Sequence, residues 1–433
     1  MQHTSTATGL GRLFAAILAL TMALAMALCM TPVAAFADDE EAATTTNLNE
    51  NDISTTDDDA CGVIAKAGAT IIANALNVQT KGARASAVSA SASDSAVSIV
   101  NSQLSTSGSE APLLSSTGTL EAENVQGTAT KSPIASVVET GSVLVANSTL
   151  ESSYAGNAKD ALPTSAIALY GTSAIDATSE KRAPALFQAT GSTLKSAIDS
   201  GAFFYLTNTQ ANILLVGNIL DFDTSKAKLL MAAGSDVASD LSPTSDTASF
   251  GTAGKNGATV TLTAIEQKLE GDIVVDSISS VDIFLLDGSS WTGSCDITAN
   301  AAGADLADNI AVNIDATSGW VVTENSTVSS LNIEKGGKLV DADGKAVTIV
   351  DADGNKLVDG ASDVEVAVAD TFTTTVKTTD ANSPKGSAID RTAFDEEFGT
   401  STAFGTNGTS TSPTDEERAA ELQAIIVAWF NNL

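Results

Sequence analysis

The chemically capable side chains that stand closest together are Asp176, Glu180, Lys181 and Arg182, two acids and two cations within seven residues. A cation beside acids is what a β-elimination needs, and a glycoside hydrolase needs two carboxylates about 5 to 9 Å apart. The same four residues also describe a solvated loop. Two further acidic phrases, Val340-Asp-Ala-Asp-Gly-Lys and Val350-Asp-Ala-Asp-Gly-Asn, repeat at ten residues. Asp-x-Asp-Gly opens a calcium loop, but the third ligand and the closing Glu of a 12-residue EF-hand are missing at the required offsets. Asp-Gly between β runs makes a hairpin turn, and a turn is what both phrases are expected to form. No residue is assigned a catalytic, cofactor-binding or metal-binding role, and no cofactor is expected.

Histidine is absent from any site. The single one, His3, lies in a segment that reads as a secretory signal: Arg12, an apolar stretch Leu13 to Met30, and Ala35-Phe36-Ala37 before Asp38. Cleavage there leaves 20 basic and 53 acidic residues, a net charge of −33. Without imidazole, Ser-His-Asp and Cys-His catalysis and His-based zinc sites are excluded. So strong a negative charge repels nucleic acid and anionic membranes, and once the signal is removed no membrane span is expected. Cys61 and Cys295 remain, 234 residues apart. At a strand spacing of about 4.8 Å that separation is roughly 40 to 50 Å along a stack of coils. A disulfide needs Cα atoms within about 7 Å, so both thiols are expected free.

What would position any of these residues is a repeat. Asn77, Asn101, Asn124 and Asn147 recur at 24, 23 and 23 residues, opening Asn77-Val-Gln-Thr, Asn101-Ser-Gln-Leu, Asn124-Val-Gln-Gly and Asn147-Ser-Thr-Leu. A period near 23 in a chain rich in small and β-branched residues fits one turn of a parallel β-solenoid. Asn suits a repeated turn, because it tolerates the left-handed conformation and its amide can bond its equivalent one coil away. Short runs such as Thr70-Ile-Ile-Ala and Ser142-Val-Leu-Val, punctuated by Gly, Asn or Ser, read as strands. Gly118, Gly141, Gly171 and Gly191 mark the coils a second time, with extra residues around Tyr154 to Pro163 as a candidate binding loop. Trp291 and Trp320 sit 29 residues apart in similar phrases. They either fill the core on adjacent turns or form an exposed platform for sugar rings.

Over about 203–350 the chain resembles a group of secreted bacterial right-handed parallel β-helix proteins, adhesin-like and of the pectate-lyase-like superfold. Phe203-Phe-Tyr-Leu-Thr-Asn-Thr, Leu229-Leu-Met-Ala-Ala, Gly271-Asp-Ile-Val-Val-Asp and Trp320-Val-Val-Thr-Glu-Asn carry the resemblance. It implies fold and location and transfers no catalytic residue.

The expected architecture is all-β, a right-handed parallel β-helix with a short C-terminal β extension and an isolated C-terminal helix. The boundaries are a signal at 1–37, an acidic disordered linker at 38–60, the β-helix at 61–350, further strands at 351–380, a flexible linker at 381–413 and an amphipathic helix at 414–433. Leu422, Ile425, Ile426, Trp429 and Phe430 give that helix an apolar face. The functional expectation is a non-catalytic, secreted or surface-associated scaffold, with extracellular polysaccharide or a host surface glycoprotein as partner. The alternative is a polysaccharide lyase or hydrolase, a chemistry that β-helices also host.

Overall fold

The computed structural model describes residues 44–157, 162–172, 183–235 and 250–401. Its short β-branched runs form strands of three to nine residues, and each coil lays its strands directly over those of the coil before. The result is a parallel β-helix with three faces. The long face holds fourteen strands: eleven start at Thr45–Asn49, Thr70–Asn74, Ala96–Val100 and Thr119–Glu123 and continue coil by coil to Ser326–Ile333, and Glu365–Thr373, Thr348–Asp351 and Lys356–Val358 follow. The second face holds seven strands, from Asp52–Thr55 to Ile219–Asp221, and a separate four-stranded sheet from Lys268–Glu270 to Lys338–Asp341 takes its place in later coils. The third face holds nine, from Val63–Ala65 to Cys295–Thr298.

Parallel stacking puts like positions in columns. On the long face, Ile71, Val97, Leu120, Val143, Phe187 and Ile213 are successive partners, and all are buried. One continuous apolar core therefore runs along the coils, as expected where each coil can bury its inner face only against its neighbours.

The turn that leaves the long face is a column of left-handed residues. Asn101, Asn124 and Asn147 have φ of 51°, 50° and 48°, preceded by Glu50 and Ala75 and followed by Gly191, Gly217 and Glu266. Asn77 does not belong to it: Ala75 occupies the turn, and Asn77 pairs with Gln103 at the start of the next strand. Three of the four periodic asparagines are thus equivalent. The amides of Asn124 and Asn101 form a ladder, extended by two residues from the strand ends: Asn124 Nδ2 donates to Asn101 Oδ1 (2.6 Å), Asn101 to Asn74 (2.9 Å) and Asn74 to Asn49 (2.8 Å).

One residue further on lies a buried polar column. Backbone N–H groups of Leu76, Val125, Ser148, Ser192, Asn218 and Gln267 each donate to a side chain of the next coil: Ser102, Ser148, Ser192, Asn218, Gln267 and Ser289. A turn that points its N–H along the stack cannot pair it within its own coil, and these side chains satisfy it.

Several expectations are corrected. Residues 44–60, assigned to a disordered linker, supply Thr45–Asn49 and Asp52–Thr55, which pair with the second coil in full register. Polar and acidic residues suffice there because one face of each strand is solvated. Within 351–380, Glu365–Thr373 is not an appendage; it adds in parallel to Ser326–Ile333 and extends the long face. Residues 381–401, assigned to a flexible linker, form a short 3-10 turn at Asp380–Asn382 and an α-helix at Thr392–Phe398 closed by left-handed Gly399. The signal segment and the helix expected at 414–433 lie outside the described residues.

Candidate functional site

Two outward surfaces are built by the coil register, one open and one covered. The open one is on the second face. Asn77, Gln103, Gln126, Thr149 and Thr193 stand one per coil in one row, and Gln79, Ser105, Thr128, Glu151 and Lys195 stand in the next. Alternate residues, Val78, Leu104, Leu150 and Leu194, point inward and are buried. The two-residue period of a strand therefore fixes both rows at the surface. Asn77, Gln79, Gln103, Gln126, Thr128 and Thr149 are exposed, and the rows line a shallow open depression of about 510 Å³. Uncharged amides and hydroxyls dominate. An ion pair, Lys195 Nζ to Glu151 Oε1 at 3.7 Å, lies at one end.

The covered surface is on the long face. Ile72, Ser98, Glu121, Leu144, Gln188, Leu214 and Thr263 form one column, partner by partner. They alternate with the core residues and so face outward, yet all seven are buried. The cover is the C-terminal segment, a strap that runs back over the coils. Asn382 Nδ2 donates to Thr263 Oγ1 (2.9 Å). Gln188 donates to the Lys385 carbonyl (2.9 Å) and accepts the Lys385 N–H (2.7 Å). Glu121 accepts from the Ser387 hydroxyl (2.6 Å) and the Ala388 N–H (2.7 Å). Arg391 donates to the Ser98 carbonyl (3.1 Å) and hydroxyl (3.0 Å) and lies over the Phe394 ring. Phe394 and Ile389 close the end by packing with Ile72.

Burial has electrostatic consequences here. It pushes the Glu121 carboxyl above its ordinary range, against the opposing hydrogen bonds from Ser387 and Ala388 and the Arg391 charge. It also lowers Arg391, against the attraction of Asp395, Glu123 and Glu121. Side chains that are costly to bury are held by partners on the strap.

The residues singled out from sequence fall as follows. Asp176, Glu180, Lys181 and Arg182 lie outside the described residues. Of the inserted loop, Leu162 packs against Ala202, Tyr205, Met231 and Val274 on the third face. Asp341 and Asp351 make tight turns: each carboxylate accepts N–H groups two and four residues on, from Asp343 and Lys345 and from Asp353 and Asn355. Among the described residues no group of three or more His, Cys, Asp or Glu is placed to hold a metal ion. Trp291 and Trp320 are fully buried, so they fill the core and offer no platform. Cys61 and Cys295 are free thiols. Burial pushes the Cys295 thiol up to about 12, which keeps it protonated and inert. No described helix is long and apolar enough to cross a membrane.

Sequence reading missed the covered row. Its signal was present in part: Ser98 interrupts the apolar run Ala96–Val100, and Gln188 follows Ala185-Leu-Phe. Comparison with known protein families, curated proteins and solved structures returns no match.

Proposed function

We propose that this chain is a non-catalytic binding scaffold, adhesin-like and acting outside the cell, that holds an extracellular polysaccharide or host surface glycoprotein along its second face. The observation that supports this reading is the exposed double row running from Asn77 and Gln79 through Gln103 and Gln126 to Thr149. Its donors and acceptors recur at the strand spacing of about 4.8 Å, on a stiff backbone that leaves little ordering cost at binding. Amides and hydroxyls without net charge complement a hydroxyl-rich polymer and do not require an ionic ligand. The surrounding acidity keeps the rod soluble and discourages strand-edge association.

The test is a glycan array with the purified protein, followed by titration of each hit. Replacing Gln103 and Gln126 together by Leu is expected to weaken binding at least tenfold without lowering thermal stability. Unchanged binding by that variant would sink the proposed face, and release of sugar fragments from a bound polysaccharide would sink the non-catalytic reading.

A further inference from the structure

The strap meets the long face with a period of three residues. Asn382 lies on Thr263 in the eighth coil, Lys385 on Gln188 in the sixth, and Ala388 on Glu121 in the fourth. Arg391 then reaches Ser98 in the third. Two strand spacings are about 9.6 Å, and three residues of polyproline II rise about 9.3 Å. Between the 3-10 turn and the helix, residues 383–391 belong to no helix or strand, and a chain rising at that rate stays in step with every second coil. The row reads main chain and side chains together: Gln188 takes both the N–H and the C=O of Lys385 and Glu121 takes the N–H of Ala388, while Asn382, Ser387 and Arg391 add side-chain bonds. The strap joins none of the sheets.

We propose that this outward row of the long face is a binding track for a peptide laid across the strands, and that it accepts segment 379–400 of a second copy of the chain, turn and helix included, as well as its own. Residues 375–379, which connect the strap to the last long-face strand, belong to no strand or helix and are mostly exposed. They can hinge without breaking sheet pairing. Another copy carries the identical segment, so exchange between copies restores every bond described above. The tether gives a copy's own strap an effective concentration on the order of millimolar. Exchange is therefore favoured where copies are crowded or where the hinge is too short to fold back. This track is independent of the second-face rows.

Two full-length variants test the proposal. In the first, residues 382–394 are replaced by a Gly/Ser sequence of equal length, and a fluorescent synthetic peptide spanning 379–400 is titrated in. Saturable binding is expected, weakened at least tenfold when Glu121→Lys is added. Absence of binding by a folded chain, or binding that Glu121→Lys leaves untouched, overturns the track. In the second, residues 376–378 are deleted and the mass is followed by light scattering. A concentration-dependent dimer with amides 385–391 protected from hydrogen exchange is expected. A chain that stays monomeric at every concentration overturns exchange, including in the event that the first variant does not fold.

Discussion

Trp291 and Trp320 stack on adjacent coils, ring centroids 4.5 Å apart and planes within 10°. Each indole N–H donates to a carbonyl inside the rod, Trp291 to Gly271 O and Trp320 to Gly293 O, both at 2.9 Å. The coil register sets this pair face to face, since Trp291 and Trp320 are direct strand partners. Removing one ring leaves a void between two fixed coils that cannot collapse. Trp320→Ala is expected to cost about 3–5 kcal/mol, whereas Trp320→Phe retains most of the packing and costs less. Chemical denaturation gives the ranking, and loss of the coupled near-ultraviolet dichroism of the two indoles reports the stack directly.

The turn column separates two asparagines that look alike in the sequence. Asn124 holds φ of 50°, and its amide donates to Asn101. A β-branched residue there meets the left-handed penalty of roughly 1–2 kcal/mol and loses the ladder bond as well. Asn124→Val should therefore lower the denaturation midpoint clearly, and Asn124→Gly much less. Asn77→Val, at an exposed strand position, should stay within about 0.5 kcal/mol of wild type. Equal effects at positions 77 and 124 would contradict the assignment of the column.

Strap docking should depend on pH through Glu121. Its carboxyl titrates above the ordinary value of 4.5 when the strap covers it. The docked state therefore holds the proton more tightly than the released one, and docking strengthens as pH falls through the raised value toward 4.5. Above that range the cost of burying the charge is present in full. Protection factors of amides 385–391 are expected to rise as the pH falls through that raised value toward 4.5. Glu121→Gln should abolish that rise while keeping the strap docked, because Gln can accept from Ala388 and donate to Ser387. Protection that falls with acid in the wild-type chain would rule the linkage out.

Close stacking leaves no room at Gly108. A Cβ there would lie 1.8 Å from the Gly82 carbonyl oxygen, a backbone atom that cannot swing away. Gly108→Ala is expected to destabilise the neighbouring coils by about 3 kcal/mol or more. Thermal unfolding of the single variant would show it.

The parallel coil was legible because period and strand chemistry act locally. Runs such as Thr70-Ile-Ile-Ala and Ser142-Val-Leu-Val announce strands, and the asparagine spacing announces their stacking. The first coil was hidden because Thr45–Asn49 and Asp52–Thr55 carry only Leu48 and Ile53 as apolar residues, and a single edge coil has little to bury. The strap was hidden for a different reason. Residues 379–391 carry almost no apolar side chains, and their order comes from polar groups such as Gln188, 197 residues away in the sequence. Composition reports what a segment can bury by itself, not which side chains wait for it elsewhere. The second-face rows are visible in the sequence only in fragments, since the spacing groups Asn77 with the turn asparagines whereas the strand register pairs it with Gln103.

Because the strap doubles back, residue 44 opens the first coil while Phe398 packs beside Ile72 of the second. A load applied through those two ends would enter the rod at one extremity and bear on the strap and the opening coils first. The hairpins around Asp343 and Asp353, at the opposite extremity, would carry none of it. A rod held that way points its far coils outward and meets tension at the place where Arg391 is locked to Ser98.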